Sequence, residues 1–177
     1  MGDALKQYQA YYTVVEWELW KDAWELIDGA PYCMSPAPGI RHQRINGQLY
    51  LELQACMKSC NKCESFLPID WQISEDTVVQ PDISIVCKQV SGNRLLEAPT
   101  AIFEILSPST EKKDRTIKFE LYQNQGVKYY IIVNPESESV EIFLLDVEGK
   151  YQKQSLENDF IFNFDGCEVK PDFSLIW

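Results

Sequence analysis

The stretch "TAIFEILSPST", Thr100 to Thr110, places the tightest constraint on how this chain can fold. Ala101, Ile102, Phe103, Ile105 and Leu106 form an apolar, β-favouring run that reads as a buried strand. Glu104 stands in its middle. An ionised carboxylate inside a core is costly unless a partner neutralises it, so this strand implies a partner for Glu104.

At 177 residues the chain suits a single domain, residues 1–177, with a core large enough to hold itself together. Its 45% hydrophobic and 24% charged content is that of an ordinary globular protein. No apolar run approaches the roughly 18–20 residues of a membrane span, and "MGDALKQYQAYY" lacks the basic-then-apolar pattern of a signal peptide. A cytoplasmic address is the expectation. A net charge of −11 opposes nonspecific binding to a phosphate backbone. Two local basic clusters stand against it, Arg41–His42–Arg44 and Lys112–Lys113–Arg115–Lys118, the second offset by Glu111 and Asp114.

Cys56, Cys60 and Cys63 fall at C-x-x-x-C-x-x-C, a spacing that radical enzymes use for an iron–sulfur cluster. Here the motif follows an amphipathic helix, and the chain is too short for the barrel of those enzymes. A structural zinc site needs a fourth ligand, for which Cys33 is a candidate. Reduced thiols at a helix end are the simpler expectation.

The pattern predicts a helix near Thr13–Leu19, then strands at Ala23–Asp28 and Ala30–Met34 turned at "DG". A helix over Ile40–Lys58 follows, with Ile45, Leu49, Leu53 and Cys56 on one face. Strands are expected near Ser65–Ile73, Val79–Cys87 and Ala101–Ser107. "SPST" reads as a helix start, with Ser107 or Ser109 capping and Pro108 in the first turn. That helix runs to about Gln125 and stops at Gly126. Next come the strand "VKYYIIVN", a hairpin of "SVEIFLLD" and "KYQKQSLE" across "VEG", and a closing antiparallel piece at "FIFNF". The fold class is mixed α/β, or α+β.

Two of these strands carry isolated acids. Side chains alternate along a strand, so Asp82 shares a face with Gln80 and Ser84, and Glu104 shares one with Ile102 and Leu106. If the strands are neighbours, Asp82 and Glu104 meet on one face, an arrangement that needs a divalent cation or a shared proton. On the following helix Asp114, Ile117, Lys118, Leu121, Tyr122 and Gln125 line one face. Ile117 and Leu121 should point at the sheet, which draws Asp114 and Lys118 inward beside them. Tyr122 is expected in the core, its hydroxyl touching the site.

The order Asp, then Glu-x-x-helix, with the acids on consecutive strands, resembles the PD-(D/E)XK nuclease superfamily. More narrowly, "WELIDG", "SPAPGIRHQRI", "VVQPDISIV", "PTAIFEILSPST", "DRTIKFELY" and "GVKYYIIVNP" look like the Uma family of small endonucleases. The resemblance spans roughly Trp24 to Pro135, with a looser match in the last hairpin. It implies a restriction-endonuclease-like core, with a mixed central sheet flanked by helices and additional antiparallel hairpins. It also implies a magnesium (or manganese) ion held by Asp82, Glu104 and the Ile105 carbonyl, with DNA as substrate. The superfamily places a lysine two residues after the glutamate, where this chain has Leu106. Lys118, reaching in from the helix, is assigned that role. Asp114, Glu25 in "WELIDG" and His42 are the remaining candidates for the pocket.

Each of these residues also has a purely structural role open to it. Asp82 can end a bulge after Pro81, Glu104 can form an ion pair with Lys118, His42 can cap its helix, and Glu25 can pair with an arginine. The expected function is metal-dependent hydrolysis of phosphodiester bonds in DNA by a homodimer. The alternatives are a nuclease fold that binds nucleic acid or protein without cutting, and metal or redox work by the cysteines.

Overall fold

The computed structural model describes residues 10–34, 38–155 and 160–177. Thr13 opens a short helix α1 (Val14–Trp17) through a capping box with Glu16, which satisfies backbone donors that a first turn leaves free. Strands β1 (Trp24–Ile27) and β2 (Ala30–Cys33) then form the expected hairpin. Both turn residues, Asp28 and Gly29, have positive φ, as a two-residue hairpin turn demands. A Cβ on Gly29 would also fall 2.2 Å from the Tyr11 ring, so glycine is required there twice over.

Helix α2 (Ile40–Cys56) buries His42, Ile45, Asn46, Leu49 and Leu53, a single stripe at helical spacing. The single strands expected at 65–73 and 79–87 are each two. The first breaks into β3 (Glu64–Phe66) and β4 (Trp71–Gln72) on either side of Pro68, the second into β5 (Val78–Val79) and β6 (Ile83–Val86) around Gln80-Pro81-Asp82. Proline offers no N–H to a ladder, and in both cases the chain passes from one sheet to another at the break.

Strand β7 (Ala101–Ile105) leads through Ser107–Thr110 into a three-part helix: α3 (Glu111–Lys113), a π turn (Asp114–Lys118) and α4 (Phe119–Asn124). The helix therefore begins at Glu111, after Thr110, and not with Pro108 in its first turn. Gly126, at φ +76°, terminates it as expected. After β8 (Tyr129–Asn134) come the hairpin β9 (Ser139–Leu145) and β10 (Tyr151–Gln154), a second small hairpin β11 (Phe162–Phe164) and β12 (Cys167–Val169), and a 3₁₀ turn at Phe173–Leu175. The last residues of the predicted strand "KYQKQSLE" lie outside the described residues.

The main sheet has the order β10-β9-β8-β7-β6-β3, with β7 and β8 parallel and the other pairs antiparallel. A four-stranded sheet, β2-β1-β5-β4, and the β11–β12 pair complete the architecture. The central strands β7 and β8 are buried on both faces, which explains their near-continuous apolar sequence. On one face Ile83, Phe103, Ile105 and Ile131 pack against α2 and the aromatic β11. On the other, Ile102, Leu106, Tyr130 and Ile132 pack with Trp71, Val79 and Tyr122. By alternation Glu104 belongs to this second face, beneath the interrupted helix.

Candidate active site

Antiparallel register first brings the two strand acids together. Ile83 pairs with Phe103 and Ser84 with Ile102, so the next step of the ladder sets Asp82 opposite Glu104 on the same face. Asp82 sits just beyond the Pro81 break, and its Oδ2 accepts the Ile105 backbone N–H at 2.8 Å. The same oxygen lies 3.2 Å from His42 Nε2, on the first turn of α2. Burial opposes a charge on His42, but its bond to Asp82, the Asp82 charge and the nearby Ile105 carbonyl raise its pKa above the ordinary value.

The second group comes from the interrupted helix. Lys118 Nζ lies 2.8 Å from Glu104 Oε1, 2.8 Å from Glu25 Oε1 and 3.8 Å from Asp114 Oδ1. Glu25, on β1, also accepts the Gln80 backbone N–H at 2.9 Å through Oε1 and meets Lys113 through Oε2. Tyr122 donates its hydroxyl to Glu104 Oε1 at 2.8 Å. Glu25, Glu104 and Lys118 are only 1%, 3% and 3% exposed.

The π turn makes this geometry possible. A regular α-helix would have put Ile117 and Lys118 side by side towards the sheet; instead Ile117 is 36% exposed, and Asp114, Lys118 and Tyr122 are buried in its place. The expectation that Ile117 faces the sheet is corrected here. A wider i→i+5 turn brings the fourth residue on round to the face of the first and rotates the third away. Thr116 contributes locally, because its hydroxyl donates to the Lys112 carbonyl at 2.6 Å and competes with the helical ladder.

The electrostatics are those of a site with too much negative charge. Glu25, Asp82, Glu104 and Asp114 line one cavity of about 620 Å³ together with Lys113, Lys118 and His42. Burial pushes the Glu104 carboxyl up to about 8 against the pull of Lys118, and Asp114, Asp82 and Glu25 push the same way. Burial likewise raises Asp114. For Glu25 burial is outweighed by Lys118 and Lys113, which hold the carboxyl below its usual value. Burial alone would lower Lys118, yet Glu104, Glu25 and Asp114 keep it well above the ordinary lysine range. Asp114 Oδ1 and His42 Nδ1 are buried and have no hydrogen-bond partner among the described residues. A second cleft of similar volume, about 640 Å³, lies beside Tyr11, Ile117 and Leu121, but its acids Asp28 and Glu120 are exposed.

The structure thus gathers all six predicted side chains, Glu25, His42, Asp82, Glu104, Asp114 and Lys118, into one cavity. Glu25 pairs with lysines, where an arginine was the structural alternative. Lys113 and Gln80 escaped the sequence reading. Lys113 looked like one of a run of surface cations, and Gln80 binds through its backbone, which no side-chain pattern reveals.

The Uma2 family, described as "Putative restriction endonuclease", matches residues 6–174. An uncharacterised protein of Synechocystis sp. is 31% identical over 74 residues, which covers 40% of this chain and 39% of that protein's length. The crystal structure of a protein from Anabaena variabilis, described as a putative nuclease belonging to DUF820, superposes with a TM-score of 0.73 over 93% of this chain and 97% of that one. Sequence identity between the two is 18%, so this likeness speaks for the fold.

Proposed function

The chain belongs to the Uma2 family of restriction-endonuclease-like proteins, and from that membership we propose that it is a metal-dependent endonuclease that hydrolyses phosphodiester bonds in DNA. One observation carries the reading: four carboxylates converge on a cavity that supplies two lysines. Such an excess, with Asp114 Oδ1 buried and without a hydrogen-bond partner among the described residues, suits a site meant to receive a cation.

Asp82 and Glu104 would hold the ion with the Ile105 carbonyl, an all-oxygen set suited to magnesium or manganese. When bound, the ion would polarise the scissile phosphate and acidify a water for attack. The protein's own groups do the positioning. The Ile105 N–H and His42 fix the Asp82 carboxylate, each through Oδ2. Lys118 and Tyr122 fix Glu104, each through Oε1. Lys118 is also the cation available to offset charge on a phosphate in the transition state. Lys113 and the Gln80 N–H hold Glu25, so that Glu25 in turn orients Lys118. We extend the proposal to a homodimer, because the described residues present no separate element for reading a DNA sequence.

A second reading, a nuclease fold that binds without cutting, draws on Leu106 at the superfamily's lysine position and on the ion pairs that already engage Lys118. The experiment that separates the two is cleavage of single- and double-stranded DNA and of RNA with magnesium or manganese. Wild type is compared with Asp82→Ala and Glu104→Ala, alongside calorimetric titration of manganese. The proposal expects DNA cleavage and manganese binding in wild type, with both at least tenfold weaker in each variant. Manganese binding without cleavage of any substrate favours the second reading. Cleavage unaffected by either substitution removes this site from the chemistry.

A further inference from the structure

Away from the carboxylate cavity, four cysteines form a second concentration of reactive groups. Cys60 and Cys63 bracket the turn between α2 and β3, Cys87 follows β6, and Cys167 opens β12. Cys60 is disulfide-bonded to Cys167 and Cys63 to Cys87, which corrects the expectation of reduced thiols at a helix end. The two bonds are not independent staples, because the sulfurs of Cys60, Cys63 and Cys167 all lie within 4.8 Å of one another. Cys87 is fixed to the same place by strand register, since Glu64 pairs with Val86 and Cys63 and Cys87 are the next residues along. Cys33, the fourth ligand expected from sequence, lies on β2 and is not in the cluster.

We propose that these four sulfurs, when reduced, form a structural tetrathiolate zinc site. Zinc binds four thiolates tetrahedrally at about 2.3 Å, which separates the sulfurs by about 3.8 Å, inside the 4.8 Å spread of Cys60, Cys63 and Cys167; Cys87, bonded to Cys63 and outside that trio, would turn in to complete the site. Cys60-x-x-Cys63 supplies a close pair of the usual spacing, while a strand end and a hairpin supply the other two. Lys58 and Lys62 stand within two residues of Cys60 and can moderate the negative charge of the centre.

The chemistry balances simply. Each disulfide takes two electrons and two protons from two molecules of a cellular thiol reductant, which leave joined as their own disulfide. The four protein thiols then lose four protons to solvent as they bind one Zn²⁺, giving a centre of net charge −2.

Its purpose follows from the topology. Among the described residues the β11–β12 hairpin shares no backbone ladder with either larger sheet, yet it contributes Phe162, Phe164 and Val169 to the core. An isolated hairpin is marginal, so its attachment through Cys167 matters. Zinc would keep that attachment in a reducing compartment, where disulfides do not persist. Cys56 is left out: its sulfur is 3.4 Å from Glu52 Oε1 and 3.3 Å from the Lys170 carbonyl. Burial and Glu52 push its thiol up to about 11, away from the thiolate form a metal needs.

The test is metal analysis of the full chain, purified anaerobically from a reducing cytoplasm without chelators. Wild type should hold about one zinc per chain, released by a thiol-blocking mercurial, and cobalt in its place should show the strong visible bands of a tetrahedral thiolate complex. Cys60→Ser and Cys167→Ser should retain at least tenfold less zinc. Cys33→Ser, Cys56→Ser and Glu104→Ala should retain it fully, the last separating this site from the carboxylate cavity. Should the cluster variants fail to fold, wild-type stoichiometry and the three control variants still decide. The proposal falls if wild type supplied with zinc, its cysteines shown by alkylation and mass spectrometry to be thiols, retains none. It falls equally if the Cys60–Cys167 and Cys63–Cys87 linkages are recovered intact from that reducing preparation.

Discussion

Lys118 Nζ and Glu104 Oε1 stand 2.8 Å apart in the protein interior, across 14 residues of chain. The carboxylate is placed by a central strand and the ammonium by a π turn, so two unlike elements deliver one ion pair. Its surroundings, two further carboxylates on the same lysine, give it consequences for both stability and chemistry.

Lys118→Met removes the cation that Glu25, Glu104 and Asp114 share. Breaking a buried pair from one side costs about 3–5 kcal/mol, so metal-free protein should show that loss in urea unfolding. Magnesium should recover part of it. Cleavage should fall by about 10²–10³-fold. Unchanged unfolding and unchanged cleavage would together show that the ion pair does nothing.

The lysine's role is set by where the ammonium lies and not by which residue carries it. Leu106 shares the face of Glu104 and is buried against Tyr122 and its neighbours. Leu106→Lys combined with Lys118→Met should therefore restore cleavage at least tenfold over Lys118→Met alone, though the protein will melt lower than wild type. Equal rates for the single and double variants would tie the function to the helix position.

Glu25 supplies a pH signature. Its folded pKa is lowered, so its ionised form stabilises the protein above the unfolded value, and that contribution is lost as pH falls through the folded one. Glu25→Gln should cost about 3 kcal/mol at neutral pH. The deficit should begin to shrink below about pH 4.3 and vanish on further acidification. Melting temperatures of both proteins from pH 7 to pH 3 will show convergence, whereas a constant gap would mean that Glu25 acts only through packing.

Tyr122→Phe deletes a single donor to Glu104 while keeping the ring stacked on Trp71. Leaving a buried acceptor without its donor costs about 1–3 kcal/mol, and the variant should lose that much in chemical denaturation. Manganese affinity should change less than threefold, because the ion would use the carboxylate and not the phenol. A tenfold loss of affinity would mean that Lys118 alone does not hold Glu104 in place for the ion.

Much was legible in the sequence because it depends on local periodicity. The alternation along "AIFEIL" and "VVQPDISIV" assigned Glu104 and Asp82 to their faces, and the DG turn and Gly126 announced their own backbone demands. The stripe of Ile45, Leu49 and Leu53 identified the buried side of α2 in the same way. These signals survive because each is enforced within a few residues.

Tertiary structure decided what no local rule contains. Pro68 and Pro81 divide single predicted strands between two sheets, and the second break is what frees the Asp82 carboxylate to reach the Ile105 N–H. The π turn moved Ile117 outward and Lys118 inward, a choice made by the partners waiting in the core. Glu25 and Lys113 meet across 88 residues, and Cys60 and Cys167 across 107. Sequence spacing specifies which face a side chain occupies, but only the packed chain determines which charges and sulfurs from distant segments share that face, since their pairing energy exists only once water has been excluded between them.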